Sequence, residues 1–264
     1  MEAGCDELIF AYSQGTCGAL RGFDLPELRE CIAEAHARGA KAVISAGRLF
    51  HENEMQLIDE VLSLLDEADG LLFADPAFIY RAQQKEKLIY DPLTLNTGSS
   101  DMNAWLSLGI GGAVISPLLT IQETMHVLAH CAQCTVPVHG YMKMSVSQRK
   151  LLSAYDVSWK YRNDLRLQEE KRNGSMPVFE DDYGTVIYTD EKLQSLKYIK
   201  EFEEAGAQRL MICSAYLDQD EICSTVRAYR SVLHGTDPLS ALQSLQEEYG
   251  STFGEGYYEQ PTIL

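Results

Sequence analysis

No apolar run in this sequence approaches the ~18 residues needed to cross a bilayer as a helix, so no membrane span is expected. The opening stretch, MEAGCDELIFAYSQG, lacks the basic flank, long apolar core and small-residue cleavage site of a secretory signal, and the cytoplasm is the expected compartment. Positive charge is scarce. The 22 Lys and Arg face 39 Asp and Glu, and the resulting net charge of −17 opposes non-specific attachment to nucleic acid or anionic lipid. A nucleic-acid role therefore requires a local basic patch. The 7 cysteines are odd in number and follow no framework spacing, which points to reduced thiols. Neither a G-x-G-x-x-G nor a G-x-x-x-x-G-K-[ST] loop follows any strand-like run, which weighs against mononucleotide-binding folds. G-x-S-x-G and H-E-x-x-H are absent as well, so no familiar nucleophile or zinc-protease signature is present.

What is present is a repeat of strand, turn and helix. Seven short runs rich in Val, Ile, Leu, Phe and Tyr cover Glu7 to Tyr12, Lys41 to Gly47, Gly70 to Asp75, Lys87 to Pro92, Gly112 to Pro117, Val136 to Gly140 and Arg209 to Ser214. Continuous apolar character predicts strands buried on both faces. Between them lie helical spacings: Leu25, Leu28, Ile32 and Ala35 after an N-cap at Asp24; Met55, Ile58, Val61 and Leu65; and Ile121, Met125, Leu128 and Ala132 after a capping box formed by Thr120 and Glu123. Helices are also predicted after Asp190, with Leu193, Leu196, Ile199 and Phe202, and after Asp218. Such alternation implies right-handed βαβ units and a parallel sheet, either doubly wound or closed as a (β/α)8 barrel.

The barrel is the preferred reading. It needs eight strands and seven are found, so the fold expected is a TIM-like barrel lacking its first strand and helix, which would precede Met1 in a truncated product or behind a late start codon. Residues 1–234 are assigned to this barrel, including an excursion over 141–208, and residues 235–264 to a tail packing on it. The excursion is expected to hold a hairpin before the last strand, with Pro177-Val178-Phe179 and Thr185 to Tyr188 flanking the turn-forming EDDYG.

Chemistry in a parallel barrel gathers where strands end. The residues closing the runs include Arg48, Asp75, Asp91, Asn96, Ser116, His139 and Cys213, many of which also suit capping or packing. His139 stands out because Gly140 follows it and permits close approach of backbone or ligand. His126 and His130 fall on the solvent side of their helix, which argues against a metal site, and Cys131 and Cys134 end a helix rather than start one, which argues against a redox pair. The segment 141–173 carries eight basic residues, among them Lys143, Arg149 and Lys150, against four acidic ones, with Tyr155, Trp159 and Tyr161 interleaved. It reads either as a patch for nucleic acid or as a solvated amphipathic helix. Glu180 and Asp181 in the hairpin read either as a general acid/base pair or as turn residues.

Four segments carry a family likeness: FDLPELRECIAEAHARGAKAVISAGRLFHENEM, LTLNTGSSDMNAWLSLGIGGAVISP, PVHGYMKMSVSQRKLLSAY and MPVFEDDYGTVIYTD, joined by the late GEGYYEQPTIL. On these the chain resembles the collagenase-like peptidase family of unassigned catalytic type (class U, number thirty-two), and within it a short, cysteine-depleted bacterial subgroup. The resemblance implies a (β/α)8-like barrel and marks His139, Gly140, Arg149, Glu180 and Asp181 as family-motif positions. It also shows departures. Longer members carry cysteines just after the His-Gly and further on, in several cases holding an iron–sulfur cluster; Lys143 and Lys150 stand there in this chain, so no such cluster is expected, nor any other cofactor or metal. The family's Arg-Glu after its sixth strand is replaced by Pro117-Leu118, and the usual His after Gly-Thr in the hairpin is Val186.

Better-understood members of the family are similar to hydroxylation factors for transfer RNA, ribosomal RNA or quinones, and the short form often accompanies a longer paralogue. The leading expectation is thus a subunit for tRNA uridine hydroxylation, partnered by a longer paralogue and holding tRNA through residues 141–173. Asn96, Lys143, Arg149, Lys150 and Tyr155 are the expected substrate-binding residues. The alternatives are a peptidase in which His139, Glu180 and Asp181 activate water, and an inactive or truncated paralogue.

Overall fold

All seven apolar runs fold as parallel strands. The computed structural model describes residues 3–93, 95–170, 174–250 and 252–260. In chain order it contains β1 (Glu7–Ala11), α1 (Leu25–Ala37), β2 (Lys41–Ala46), α2 (Met55–Leu62), β3 (Gly70–Phe73), α3 (Ala77–Arg81) and β4 (Leu88–Tyr90). There follow α4 (Ser99–Leu106), β5 (Gly112–Val114), α5 (Ile121–His130), β6 (Cys134–Gly140), β7 (Lys143–Ser147), β8 (Arg166–Gln168), β9 (Ser175–Asp181) and β10 (Gly184–Tyr188). The chain continues through β11 (Lys192–Gln194), α6 (Ile199–Glu204), β12 (Arg209–Ile212), α7 (Gln219–Leu233), α8 (Pro238–Tyr249) and β13 (Phe253–Gly254).

Strands β1 to β6 lie side by side in sequence order, and β12 pairs in parallel with the far side of β6. Registers such as Ile9↔Val43 and Ile44↔Leu71 place one set of side chains on each face. Val43, Leu72, Ile89 and Val114 form the inner layer with Met211, while Ile44, Leu71 and Phe73 pack outward with Leu28 and Ile32 of the helices. Burial on both faces is what the unbroken apolar runs require.

Helix starts follow the side-chain chemistry. Asp24 accepts from the Glu27 amide and Glu27 answers onto the Asp24 amide, with Pro26 in the first turn. Thr120 and Glu123 repeat that box at α5, and Asp218 caps α7. The buried face of α5 is Thr124, Val127 and Leu128, close to the expected stripe, and His126 and His130 are exposed.

Three expectations are corrected. The sheet rolls far enough for Arg209 Nε of β12 to reach Glu7 Oε2 of β1 at 2.8 Å, but among the described residues no backbone ladder joins those strands. The fold is therefore a mixed α/β arrangement around a parallel sheet with no closed barrel among the described residues, because the outer edge of β1 is bridged only by Phe23, through Tyr12, and no ladder carries it on to β12. The helix expected after Asp190 begins only at Ile199. Lys192–Gln194 is instead a strand antiparallel to the end of β6, because its backbone pairs with His139 and Gly140. The basic segment is not an amphipathic helix: it forms β7, a string of turns and β8. With the expected hairpin β9–β10 it makes a separate antiparallel sheet in the order β7-β10-β9-β8. Its Lys171 and Arg172 lie outside the described residues. No helix of the described residues is long and apolar enough to cross a membrane.

Candidate functional site

The antiparallel sheet sits over the carboxyl ends of the parallel strands and fixes the loop after β1. Tyr188 Oη donates to the Gly18 carbonyl at 2.7 Å, and Val186 and Tyr188 pack on Cys17. Val186, at the position where the resemblance expects a histidine, is fully buried in that contact. Arg48 clamps the same loop from below: it forks onto Glu54, donates to the Gln14 carbonyl at 2.7 Å, and lies between the rings of Phe50 and Tyr183.

Glu180 and Asp181 belong to this scaffold. Glu180 is fully buried and accepts from the amides of Leu152 and Ser153 and from the Thr185 hydroxyl. Burial acts to raise its pKa, but those hydrogen bonds outweigh it and hold the carboxyl below its ordinary range. Asp181 accepts from the amides of Gly18, Tyr183 and Gly184 at 2.7, 2.8 and 3.1 Å. Both carboxylates thus serve as acceptors for backbone amides.

His139 is elsewhere. Its side chain leaves the sheet on the helix side, where Nδ1 lies 3.3 Å from Tyr229 Oη and Nε2 lies 3.5 Å from Thr225 Oγ1 of α7, and it is fully buried. Burial, followed by the charge of Lys192, pushes its pKa down to about 3, so the ring is neutral at physiological pH. Among the described residues it shares no hydrogen-bond partner with Glu180 or Asp181, so the three are not brought together. Gly140 has a backbone reason to be glycine: its φ is +103°, and a Cβ there would lie 2.0 Å from the Cys213 carbonyl oxygen.

A cavity of about 850 Å³ opens at the carboxyl ends of the strands, lined by the loop after β1, the strand ends and the start of the excursion. Asp91, Lys143, and the neighbouring Cys213 and Tyr216 meet there from three different parts of the chain. Asp91 Oδ1 accepts from the Leu93 amide at 3.0 Å; burial raises its pKa, against the pull of that amide and of nearby Lys143. Lys143 Nζ donates to the Cys17 carbonyl at 3.0 Å. Burial pushes the Cys213 thiol up to about 12, so it is not a thiolate nucleophile. Tyr216 Oη is buried without a hydrogen-bond partner among the described residues. A carboxyl held toward its neutral form, beside an ammonium and a free phenol, suits a polar ligand with an anionic end.

Of the expected substrate-binding residues, only Lys143 lines this cavity. Asn96 is buried and donates to the Val114 carbonyl, tying its loop to β5. Arg149 and Lys150 lie exposed on the excursion and form no ion pair among the described residues, and Tyr155 is 86% exposed. Leu151, Val157 and Tyr161 are exposed on the same segment. Other cations there are engaged: Lys160 with Asp182, Arg162 with Asp164, and Arg166 over the Tyr216 ring. Asp91 and Cys213 were visible in the sequence only as two among many strand ends. Among the described residues no group of three or more His, Cys, Asp or Glu is placed to hold a metal ion.

The sequence profile of peptidase family U32 matches residues 1–260. A curated relative, tRNA hydroxylation protein P2 of Bacillus subtilis (strain 168), is 24% identical over 226 residues, which cover 80% of this chain and 73% of the relative. Among solved structures, the U32 peptidase Mk0906 overlaps 58% of this chain and 66% of its own, with 13% identity and a TM-score of 0.43. A chitinase from Rhizomucor miehei overlaps 91% and 93% with 15% identity and a TM-score of 0.46.

Proposed function

Because the chain belongs to peptidase family U32, one of whose relatives is named for tRNA hydroxylation, we propose that it is a subunit for tRNA uridine hydroxylation that holds the RNA and works with a longer paralogue. The observation that carries this reading is the pairing of exposed Arg149, Lys150 and Tyr155 on an excursion whose first residues line the cavity at the strand ends. On a chain with net charge −17, two exposed cations that make no ion pair among the described residues, on the same segment as an exposed ring, supply the chemistry single-stranded RNA uses: phosphates on the cations, a base stacked on the tyrosine. Lys143 and Asp91 then face whatever part of the nucleotide enters the cavity. Within this division of labour the chain binds and orients, and the oxidising chemistry belongs to the paralogue.

The test is tRNA binding by the purified chain, alone and mixed with the longer paralogue, across a salt series. Binding that weakens with salt and is lost in Arg149→Glu/Lys150→Glu supports the reading. Absence of binding under both conditions at low salt ends it. Peptide hydrolysis has no comparable support, since His139 is buried against α7 while Glu180 and Asp181 hold backbone amides.

A further inference from the structure

The cavity at the strand ends has aromatic walls as well as titratable groups. Phe23 from the loop after β1, Tyr141 after β6 and Tyr216 after β12 all line it. Tyr141 meets Tyr216 edge to face with 6.0 Å between ring centroids, and Arg166 of the excursion lies 5.1 Å from the Tyr216 centroid. At the rim, exposed Arg21 lies 5.0 Å over the Phe23 ring and forms no ion pair among the described residues. Two polar groups keep hydrogen-bonding capacity. Asp91 Oδ2 accepts no hydrogen bond from the described residues, since the Leu93 amide falls on Oδ1, and Lys143 Nζ spends one proton on the Cys17 carbonyl. The backbone is unusual here too: Leu93 and Tyr216 have φ of +69° and +62°, left-handed values that non-glycine residues seldom adopt and that gather at ligand sites.

We propose that this cavity receives one uridine nucleotide of the bound RNA, turned out of its strand, with the base among the aromatic walls, its N3–H and carbonyl edge on Asp91 and Lys143, and its phosphate on Arg21. That the nucleotide belongs to an RNA rests on the RNA-holding reading above; that a nucleotide is the occupant rests on the cavity. A flat heteroaromatic ring is what several aromatic walls around a polar floor accommodate, and unstacked bases are held in this way. A carboxyl near an ammonium sets an acceptor beside a donor, the complement of uracil's N3–H beside a carbonyl oxygen. Burial draws the Asp91 carboxyl toward its neutral form, which offers an acceptor and a donor together. The volume of about 850 Å³ falls within the ~300–1,000 Å³ of small-molecule sites. Held by that edge, the base keeps its carbon edge free of hydrogen bonds, which suits a subunit that orients the nucleotide while another supplies the chemistry. Turning a base out of its strand is the general means of exposing it to reaction.

The experiment titrates the full chain into 5-fluorouridine monophosphate and follows the fluorine NMR resonance. The expected result is a saturable shift with a dissociation constant on the order of 1 mM or tighter, reversed by uridine monophosphate and at least about tenfold less well by its N3-methyl derivative or by ribose phosphate. Asp91→Leu and Lys143→Met should each weaken binding about tenfold. Asp91→Asn, which keeps an acceptor beside a donor in the same space, should stay within about threefold and so separates loss of that edge from loss of the fold. Arg21→Gln should lower the affinity of the nucleotide to that of uridine. An oligouridylate carrying one 5-fluorouridine should bind at least about tenfold more tightly than the mononucleotide, and lose that gain in Arg149→Glu/Lys150→Glu. No saturation up to about 10 mM, equal displacement by ribose phosphate, or unchanged affinity in Asp91→Leu and Lys143→Met overturns the proposal. Equal affinity for oligouridylate and mononucleotide also overturns it, by assigning the cavity to a free nucleotide. The two failures are distinct: tRNA binding without nucleotide saturation strikes this subsite and spares the RNA-holding role, whereas saturation without tRNA or oligouridylate binding strikes that role and, with it, the RNA origin of the nucleotide.

Discussion

The carboxylate of Asp181 accepts a hydrogen bond at 2.7 Å from the backbone amide of Gly18, 163 positions away in the chain. That contact, with those to Tyr183 and Gly184, joins the loop after β1 to the hairpin and sets the roof over the strand ends. Replacing Asp181 with Ala leaves up to three amides without their acceptor and is expected to cost roughly 2–4 kcal/mol, read by urea unfolding. Gly18→Ala should destabilise in the same assay, since φ there is +74° and a Cβ would lie 2.4 Å from Val186 Cγ2. A catalytic Asp181 would instead abolish activity with unchanged stability.

Gly140 and Gly39 separate close approach from backbone conformation. Both have positive φ, +103° and +76°, but a Cβ at Gly140 meets the Cys213 carbonyl at 2.0 Å while one at Gly39 meets nothing within 4 Å. Gly39→Ala is expected to cost about 1 kcal/mol and Gly140→Ala more than about 3 kcal/mol, compared by chemical denaturation.

His139 makes stability depend on pH with a defined sign. Its folded pKa of about 3 lies below the ordinary value of 6.5, so between those values the unfolded chain binds the proton and the folded chain does not. Stability contributed by the neutral ring is complete above pH 6.5 and is lost as pH falls toward 3, at up to about 1.4 kcal/mol per pH unit. Glu180, held low by its hydrogen bonds, loses its contribution in the same direction but only at more acid pH, below the ordinary carboxylate value of 4.5. Unfolding free energies at pH 7, 6 and 5 should therefore fall for the wild type and stay flatter for His139→Gln, which cannot take up a proton.

The exposed pair Arg149 and Lys150 gives the opposite pattern. Arg149→Glu/Lys150→Glu should leave the melting temperature within about 2 °C of the wild type, because exposed unpaired side chains contribute little to stability. Tyr155→Ala should behave likewise in melting and weaken tRNA binding by about 1–3 kcal/mol if one base stacks on it, measured by filter binding.

The strands were legible because each is a continuous apolar run, and those same runs hide which face a residue occupies. Every position of β6 is buried, so nothing in its sequence tells whether His139 faces the cavity or α7. Leu193, Leu196, Ile199 and Phe202 are spaced like a helix face, yet Lys192–Gln194 is drawn into the sheet by Gly140 and His139, more than fifty residues away. For Glu180 and Asp181 the sequence offered two readings, and the structure gives each carboxylate a set of amides to hold. The Asp91, Lys143 and Cys213 cluster was not legible as a unit, because its members lie at separate strand ends that only the rolled sheet brings together.

The most direct test of the RNA-holding role is the modified uridine itself. Nucleoside mass spectrometry of bulk tRNA from cells lacking this chain but retaining the proposed longer paralogue should show the hydroxylated uridine lost or sharply reduced. It should be restored by the wild type and not by Arg149→Glu/Lys150→Glu. Undiminished hydroxylated uridine in cells without the chain would contradict the account.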